Sequence, residues 1–498
     1  MYRSLDKSYT LVNTMVVSGV FMLYALSRML MIGGNAESRY MMMSLGLYSI
    51  VIFFFGYYQK NYTNLGIFFS LLFVFQNVII GLGINFLNVT EVNYSNIQYV
   101  IALTSLFGFM AFVFLWITPQ KKIQYKHEKI GITLIILTTI YMFYGSFNFI
   151  VSFGYSRNLF LLILLVFIGK LMVRSERNFQ EFIKYIFTIS LAITIFGLLE
   201  VTFFTQDIWY QIFNLDHVLT AKGMYANREE GTLPTLFYTL INDDTVRRMA
   251  SFFMEPVNLA YFLAVPVILS FVLRRWLFLI VFTVALLLTA GKGGIMVAAM
   301  SLLFVFILRF KEFQNKQSFI FLFFGSLGLL IVGSMAYFKA SPGTALPHLW
   351  GLMSIETNII SSPLGHGLGS GGNFDSMTGS RNTMDLLNTG AESGLATLAY
   401  KMGVPGLLVF ISYFLVLGNT LFRISLKYKN QFLGNVALGV TCLLLGLLYG
   451  SAFQENPLGP QTNHLILLLA GGVIACSSIK QKEEAEIAEK SNSKQNKS

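Results

Sequence analysis

The chain has 498 residues, of which 55% are hydrophobic and only 12% are charged. Soluble domains carry about 25% charged residues, so this charge content and the mean hydropathy of +0.64 exclude a soluble globular protein of ordinary composition. The net charge of +11 would suggest a nucleic-acid partner in a soluble protein, so its distribution along the chain has to be considered first. The composition predicts a polytopic membrane protein.

Apolar windows of about 19 residues predict an all-α transmembrane helix bundle of about 14 spans (range about 12–14). The first window is longer than the apolar segment of a signal peptide, and no small-residue cleavage pattern follows it. An even number of spans puts both chain ends on one side of the membrane. In chain order the predicted spans are 11–32, 41–58, 65–87, 97–117, 130–151, 158–173, 184–204, 251–272, 276–290, 293–308, 318–338, 404–422, 432–450 and 463–478.

Basic residues are concentrated in the short loops on the side of the N-terminus. Examples are the lysines of 121–129 and the pair Arg274 and Arg275. Cytoplasmic loops carry the excess of Lys and Arg, so both chain ends are predicted to be cytoplasmic. The positive charge is therefore a topology signal, and no nucleic-acid partner is needed to explain it.

Two segments on the predicted outer side are much longer than the other loops. Loops of that length are usually functional or disordered, and both contain Trp, Phe, Leu and Tyr, which favours folded, functional loops. The predicted organisation is an N-terminal transmembrane bundle (1–204), a first large extracytoplasmic loop (205–250), central spans (251–338), a second large extracytoplasmic loop (339–403), C-terminal spans (404–479) and a disordered cytoplasmic tail (480–498).

The first large loop ends with Arg247 and Arg248, directly before an apolar span. Arginine at the outer face opposes the positive-inside trend, and a guanidinium suits bidentate contact with phosphate. Interfacial arginines bridged to nearby carboxylates explain the spacing equally well. Glu255 and Asn258 follow within the start of the span, where polar groups are costly and are functional candidates. A helix kinked at Pro256 by packing alone is the alternative.

The second large loop contains a glycine-rich stretch, 363–372, with His366 inside it. Such a stretch can turn its backbone N–H groups toward an anion, and His366 would add a proton-transfer group; a plain flexible connector is the alternative. Glu392 lies further on, as a general base or as a solvated carboxylate. Lys292 stands between two apolar runs at the outer face, as a functional cation or as a snorkelling side chain.

No metal site is predicted. Cys442 and Cys476 are the only cysteines, and both lie in apolar runs, which is typical of small core residues. The outer loops contain no Asp-x-Asp pattern and no paired set of Cys and His.

Four stretches, taken in order, resemble the O-antigen polymerase/O-antigen ligase superfamily of integral membrane glycosyltransferases. The likeness is clearest from about Arg247 to Phe410. The first stretch has one residue more between Pro256 and Asn258 than the family pattern, and two positions carry a different residue. Lys292 stands where arginine is usual, and Glu392 stands at the family's histidine position, so either Glu392 or His366 takes the proton-accepting role. The four stretches are Arg248-x-x-Ser251-x-Phe253-x-Glu255-Pro256-x-Asn258, Leu287-Leu288-Thr289-Ala290-Gly291-Lys292-Gly293, Pro363-Leu364-Gly365-His366-Gly367-Leu368-Gly369 and Glu392-Ser393 followed by Gly403-Val404-Pro405-Gly406.

The resemblance implies a polysaccharide polymerase of the bacterial cytoplasmic membrane, making capsule or O-antigen. It would transfer a growing glycan from undecaprenyl diphosphate to a sugar hydroxyl of a new lipid-linked repeat unit at the outer face. No metal or cofactor is expected, and a flippase and a chain-length regulator are the expected protein partners. The implied diphosphate- and substrate-binding residues are Arg247, Arg248, Lys292, Arg381, Glu255 and Asn258.

Two other functions remain open from the sequence. A ligase of the same superfamily would move finished glycan onto another acceptor, and no residue separates it from a polymerase. A lipid-linked oligosaccharide flippase is the alternative from another class. Transporters usually place charged or broken-helix sites near the midplane and often contain internal repeats. Here the unusual residues cluster at the outer face and no repeat is visible, which favours the enzyme.

Overall fold

The computed structural model describes residues 63–86, 125–145, 149–204, 206–221, 233–241, 244–310, 325, 342–371 and 393–495. Within these ranges six helices are long and apolar enough to cross a membrane, which confirms a multi-pass, mostly helical membrane protein. The number of spans and their orientation stay predictions. The predicted spans 11–32, 41–58 and 97–117 lie outside the described residues, as does 318–338 apart from Gly325.

The described part of the amino-terminal half forms helices at the predicted spans 65–87, 130–151, 158–173 and 184–204. The predicted span 65–87 is a helix pair with a bend at Phe75, across which the helical hydrogen bonds continue. The helices are α1 (Thr63–Val74), α2 (Gln76–Phe86), α3 (Lys126–Phe143), α4 (Phe149–Met172) and α5 (Glu176–Phe203).

The boundary between α3 and α4 differs from the prediction. The chain leaves the helix after Phe143, and Gly145, two residues on, has φ +84°. Accordingly α3 ends and α4 begins earlier than the predicted spans 130–151 and 158–173 imply. A Cβ atom at Gly145 would lie 2.0 Å from the carbonyl oxygen of His366. Only glycine permits both this backbone conformation and this close contact, so hydropathy alone could not locate the break.

The first large loop folds into short elements with an apolar cluster of their own. Trp209 is fully buried there and packs against Phe213 and Phe237. The antiparallel hairpin is a departure from the predicted all-α fold, and its register puts Tyr238 opposite Arg247. The elements are α6 (Gln206–Gln211), α7 (Leu215–Ala221), a 3-10 turn (Thr235–Phe237), β1 (Tyr238–Ile241) and β2 (Asp244–Arg247).

The carboxyl-terminal half contains the central helices of the bundle. The first of them, α8, is buried along nearly its whole length, with α10 against one side and α13 and α14 against others. α14 packs along α4, and α12 packs along α13. These helices are α8 (Pro256–Val272), α9 (Trp276–Leu288), α10 (Lys292–Arg309), α11 (Pro342–Ser361), α12 (Gly394–Lys427), α13 (Phe432–Phe453) and α14 (Pro460–Gln495).

Two features lie where the sequence predicted loop or disorder. α12 begins before the predicted span 404–422, and its two parts meet at Gly403, where φ is 58° and ψ is −157°. The tail predicted to be disordered, 480–498, instead continues α14 as far as Gln495. Alternating Lys and Glu residues have good helix propensity, and two contacts anchor the tail helix to the bundle: Lys480 to Glu176 at 2.8 Å and Lys427 to Glu484 at 3.0 Å.

Candidate functional site

Glu200, near the end of α5, is a fully buried carboxylate. Its Oε2 accepts hydrogen bonds from the backbone N–H groups of Ala250 at 3.1 Å and Ser251 at 2.6 Å. Ser251 and Met254 have φ values of 48° and 54°, a region that costs non-glycine residues about 1 kcal/mol or more. Glu200 therefore holds a strained turn in place directly before α8.

Sequence reasoning missed Glu200, although a signal for it exists. It is the sole acidic residue within the predicted span 184–204, and an ionisable residue inside an apolar span is a functional candidate by default.

Arg247 extends from the end of β2 toward Glu200. Its Nη1 donates to the carbonyl oxygen of Phe204 at 3.0 Å, and its Nη2 lies 4.0 Å from Oε1 of Glu200. Among the described residues no hydrogen-bond partner is found for Nε and Nη2 of Arg247 or for Oε1 of Glu200, although all three atoms are buried. The described residues thus leave two N–H-bearing nitrogens of Arg247 without a hydrogen bond, beside the Glu200 carboxylate.

Arg248 has a different role in the structure. Its Nε donates to the carbonyl oxygen of Thr289 at 2.9 Å, and its Nη1 donates to that of Leu236 at 3.1 Å. Burial lowers the pKa of this guanidinium, which nevertheless stays charged. Arg248 therefore ties the first large loop to the end of α9, and these two bonds use part of the donor capacity that sequence analysis assigned to phosphate.

The amide cluster consists of Asn77, Glu255, Asn258, Asn456 and Gln461. The Glu255 carboxylate accepts hydrogen bonds from the side chains of Asn258 and, at 3.5 Å, Asn77. Asn258 also donates to Gln461 at 2.9 Å and accepts from Asn456 at 3.4 Å. Side chains from α2, α8, the turn after α13 and α14 therefore form one hydrogen-bonded network at one end of the bundle.

Pro256 begins α8 and does not kink it. Glu255 is the N-cap residue and Pro256 occupies the first helical turn, where the missing N–H of proline costs nothing. The predicted span 251–272 is thus a helix only from Pro256 onward, and the packing-kink alternative does not apply at this residue. Glu255 and Asn258 therefore lie at the start of α8, next to the first large loop.

Lys292, at the start of α10, has an exposed side chain. The backbone beside it packs tightly: a Cβ at Gly291 would lie 2.4 Å from Cβ of Ala260, and one at Gly293 would lie 2.1 Å from Oε1 of Gln454. Gln454 in turn accepts a hydrogen bond from the hydroxyl of Tyr261 at 2.8 Å. The two glycines therefore hold Lys292 next to the first turns of α8, where the amide cluster lies.

Within the glycine-rich loop, residues 365–368 do not form the anion-binding turn that was one prediction for the stretch. Their consecutive backbone N–H groups donate to carbonyl oxygens of neighbouring elements and leave none in that run for an anion. The pairs are Gly365 to Ser362, His366 to Tyr400, Gly367 to Lys401 and Leu368 to Tyr141, at 2.8, 2.9, 2.8 and 3.2 Å.

His366 is exposed at the surface of this loop, and its ring lies 4.4 Å from that of Tyr400. Lys401, which follows Tyr400, is fully buried beneath the loop. Its Nζ donates to the carbonyl oxygens of Leu368 and Ser370 and lies 3.7 Å from the ring centre of Tyr155. Lys401 positions the loop that carries His366, a role that sequence analysis missed because an amphipathic run predicts a solvated lysine.

Glu392 and Arg381 lie outside the described residues. The chain resumes at Ser393, which caps α12, and the N–H of Gly394 donates to the carbonyl oxygen of Gln454 at 3.2 Å. Gly394, two residues after Glu392, is therefore next to Gln454, the partner of Tyr261. Tyr400 follows six residues after Gly394, about 9 Å along the helix.

The structure brings most of the predicted site residues to one end of the bundle. Arg248 reaches the turn that precedes Lys292, and Glu255 and Asn258 belong to the amide cluster beside that turn. His366 lies at the far end of the first segment of α12. Within the described ranges no group of three or more His, Cys, Asp or Glu residues could hold a metal ion.

A comparison of the chain with models of protein families and with curated proteins finds no match. The fold and the site geometry define the chain as a multi-pass membrane protein with exposed and partly buried cations beside a network of buried amides.

Proposed function

We propose that the protein is a membrane glycosyltransferase that polymerises lipid-linked oligosaccharide repeat units. The observation that carries this proposal is that Arg248 joins the first large loop to the turn before Lys292, beside the amide cluster, so that Arg247, Lys292 and the cluster lie at one end of the bundle. A diphosphate needs cations, and a sugar needs paired hydrogen-bond donors and acceptors. These two kinds of group meet here although they come from segments far apart in the sequence.

In the proposed reaction a sugar hydroxyl of the acceptor attacks the anomeric carbon of the donor glycan. The new bond joins the hydroxyl oxygen to that carbon, and the bond between the carbon and the diphosphate oxygen breaks. Negative charge then develops on the lipid diphosphate. Arg247, two of whose N–H-bearing nitrogens have no hydrogen-bond partner among the described residues, and the ammonium of Lys292 supply preorganised positive charge for it.

The proton of the attacking hydroxyl goes to a general base. His366 is exposed and its ring is held against Tyr400. Glu392 precedes Ser393, whose helix starts beside Gln454. The proposal assigns the base role to one of these two residues, at the outer face of a bacterial cytoplasmic membrane.

Proteoliposomes that contain undecaprenyl-diphosphate-linked repeat units test the proposal directly. We expect wild-type protein to lengthen the lipid-linked glycan, seen as a ladder of bands. Glu392→Gln and His366→Ala are compared in parallel. We expect the substitution that removes the general base to abolish the ladder of lengthened glycans.

Translocation of repeat units without elongation would contradict the proposal and support a flippase. Transfer of glycan to a different acceptor without lengthening would support a ligase instead.

A further inference from the structure

A second polar region lies at the opposite ends of α8 and α10 from the candidate site. It is a cavity of about 740 Å³ between the ends of α8, α10 and α12 and the start of α13. α8 separates it from the amide cluster by about 25 Å of helix. We call it the basic pocket, and its described lining is Val272, Leu273, Arg274, Leu308, Arg309, Ser425, Leu426, Lys429, Asn430, Phe432, Gly434, Asn435 and Leu438.

The charge of the basic pocket has one sign. Arg274, Arg309 and Lys429 line it, and no carboxylate occurs among the lining residues that the structure describes. Arg309 also lies over the ring of Phe271, with its guanidinium carbon 5.4 Å from the ring centre, so it is fixed near the end of α8.

The walls of the basic pocket are apolar below its charged rim. Val272, Leu308 and Leu438 are buried, whereas Arg274, Arg309 and Lys429 are exposed. A cavity with cations at the rim and hydrocarbon below matches an amphipathic ligand, with a phosphate at the surface and acyl chains along the helices. Basic pockets between transmembrane helices bind anionic head groups in this way.

We infer that the basic pocket binds the phosphate group of an anionic membrane lipid. Asn430 and Asn435 provide amide donors at the same cavity, which suits phosphate oxygens. The site is independent of glycan chemistry, because none of its residues belongs to the candidate functional site.

The test uses the full chain in phosphatidylcholine nanodiscs with increasing fractions of phosphatidylglycerol. Cys442 and Cys476 are the only cysteines and both are buried, so a thiol-reactive fluorogenic dye reports thermal unfolding. We expect phosphatidylglycerol to raise the unfolding midpoint saturably, by about 2 °C or more. The variant Arg274→Gln/Arg309→Gln/Lys429→Gln should lose most of this rise.

The matched control is Arg423→Gln, which removes one exposed charge from α12 outside the pocket and should keep the full rise. If the triple variant does not fold, Lys429→Gln is tested alone. The Lys429 side chain is exposed, so this variant should fold, and it should show a smaller rise of the unfolding midpoint with phosphatidylglycerol. An equal rise in wild type and pocket variants would overturn the inference. A rise with inorganic phosphate in pure phosphatidylcholine, as large as that with phosphatidylglycerol, would overturn the lipid assignment.

Discussion

Nε of Arg248 donates a hydrogen bond to the carbonyl oxygen of Thr289, 2.9 Å away. This bond joins the end of the first large loop to the turn between α9 and α10, so it connects two of the stretches that carry the family resemblance. Among the described residues, its neighbour Arg247 donates to one carbonyl oxygen, that of Phe204, and approaches Glu200. The two adjacent arginines therefore differ: Arg248 holds the loop, and Arg247 is the one to which the proposed function assigns the ligand.

The conservative variants Arg247→Lys and Arg248→Lys separate these roles. Arg247→Lys keeps a positive charge near Glu200 but loses the planar fork, so we expect chain extension to fall about tenfold, equivalent to about 1.4 kcal/mol, with little loss of stability. Arg248→Lys should lower the unfolding midpoint as well, because one ammonium does not replace bonds to Thr289 and Leu236 in their fixed directions. Full activity of Arg247→Lys would contradict the ligand role.

Lys292 is expected to act through its charge alone. Its side chain is exposed, and surface substitutions usually change stability by less than about 0.5 kcal/mol. We expect Lys292→Gln to lower chain extension about tenfold and Lys292→Arg to retain it, with unfolding midpoints unchanged in both. The band ladder in proteoliposomes is the measurement. Equal ladders from Lys292→Gln and wild type would leave Lys292 without a functional role.

Two glycine-to-alanine variants test how closely α10 packs on α8. A Cβ at Gly294 would lie 2.3 Å from the carbonyl carbon of Ala260, whereas one at Gly439 in α13 would lie 3.1 Å from Cγ2 of Val272. Backbone cannot move aside as a side chain can, so Gly294→Ala should destabilise by about 1–3 kcal/mol. At Gly439 the gain in helix propensity of up to about 1 kcal/mol offsets a mild contact.

Chemical or thermal unfolding of both glycine variants gives the comparison. A Gly294→Ala protein as stable as Gly439→Ala would mean that the two helices are further apart than the structure has them.

Lys401 and Lys427 provide a matched pair of lysines on α12. Lys401 is buried and donates to two carbonyl oxygens of the glycine-rich loop, whereas Lys427 is exposed and pairs with Glu484. Hydrogen bonds from charged groups contribute about 1.5–3 kcal/mol each, and exposed ion pairs about 0–1 kcal/mol. We expect Lys401→Met to lower stability and to increase hydrogen exchange in residues 363–371, and Lys427→Met to do neither.

The membrane-spanning character of the chain could be predicted from the sequence, since hydropathy depends on local composition. The helices α8, α9, α10, α13 and the apolar part of α14 all lie within a few residues of predicted spans. The break at Gly145 could not be predicted, because it depends on a contact with His366, more than two hundred positions away.

Part of the candidate site could also be predicted, again because some of its features depend on local sequence alone. Charged and amide side chains at the ends of apolar spans can be recognised in the sequence itself. This identified Arg247, Lys292, Glu255 and Asn258. Glu200 was missed, since its partners Ala250 and Ser251 are brought to it by the fold. The tail helix was missed because its composition fits disorder as well as it fits a helix with i,i+4 ion pairs.

The break at Gly403 has a mechanical consequence. The glycine-rich loop bonds to α12 on both sides of the break, through Gly367 to the carbonyl oxygen of Lys401 and through the N–H of Val404 to that of Pro363, at 2.8 and 2.9 Å. Bending at Gly403 would break these hydrogen bonds, so the change of helix direction at this glycine is rigid and Gly403 is not a hinge. The His366 loop and the two segments of α12 that meet at Gly403 consequently form one rigid unit.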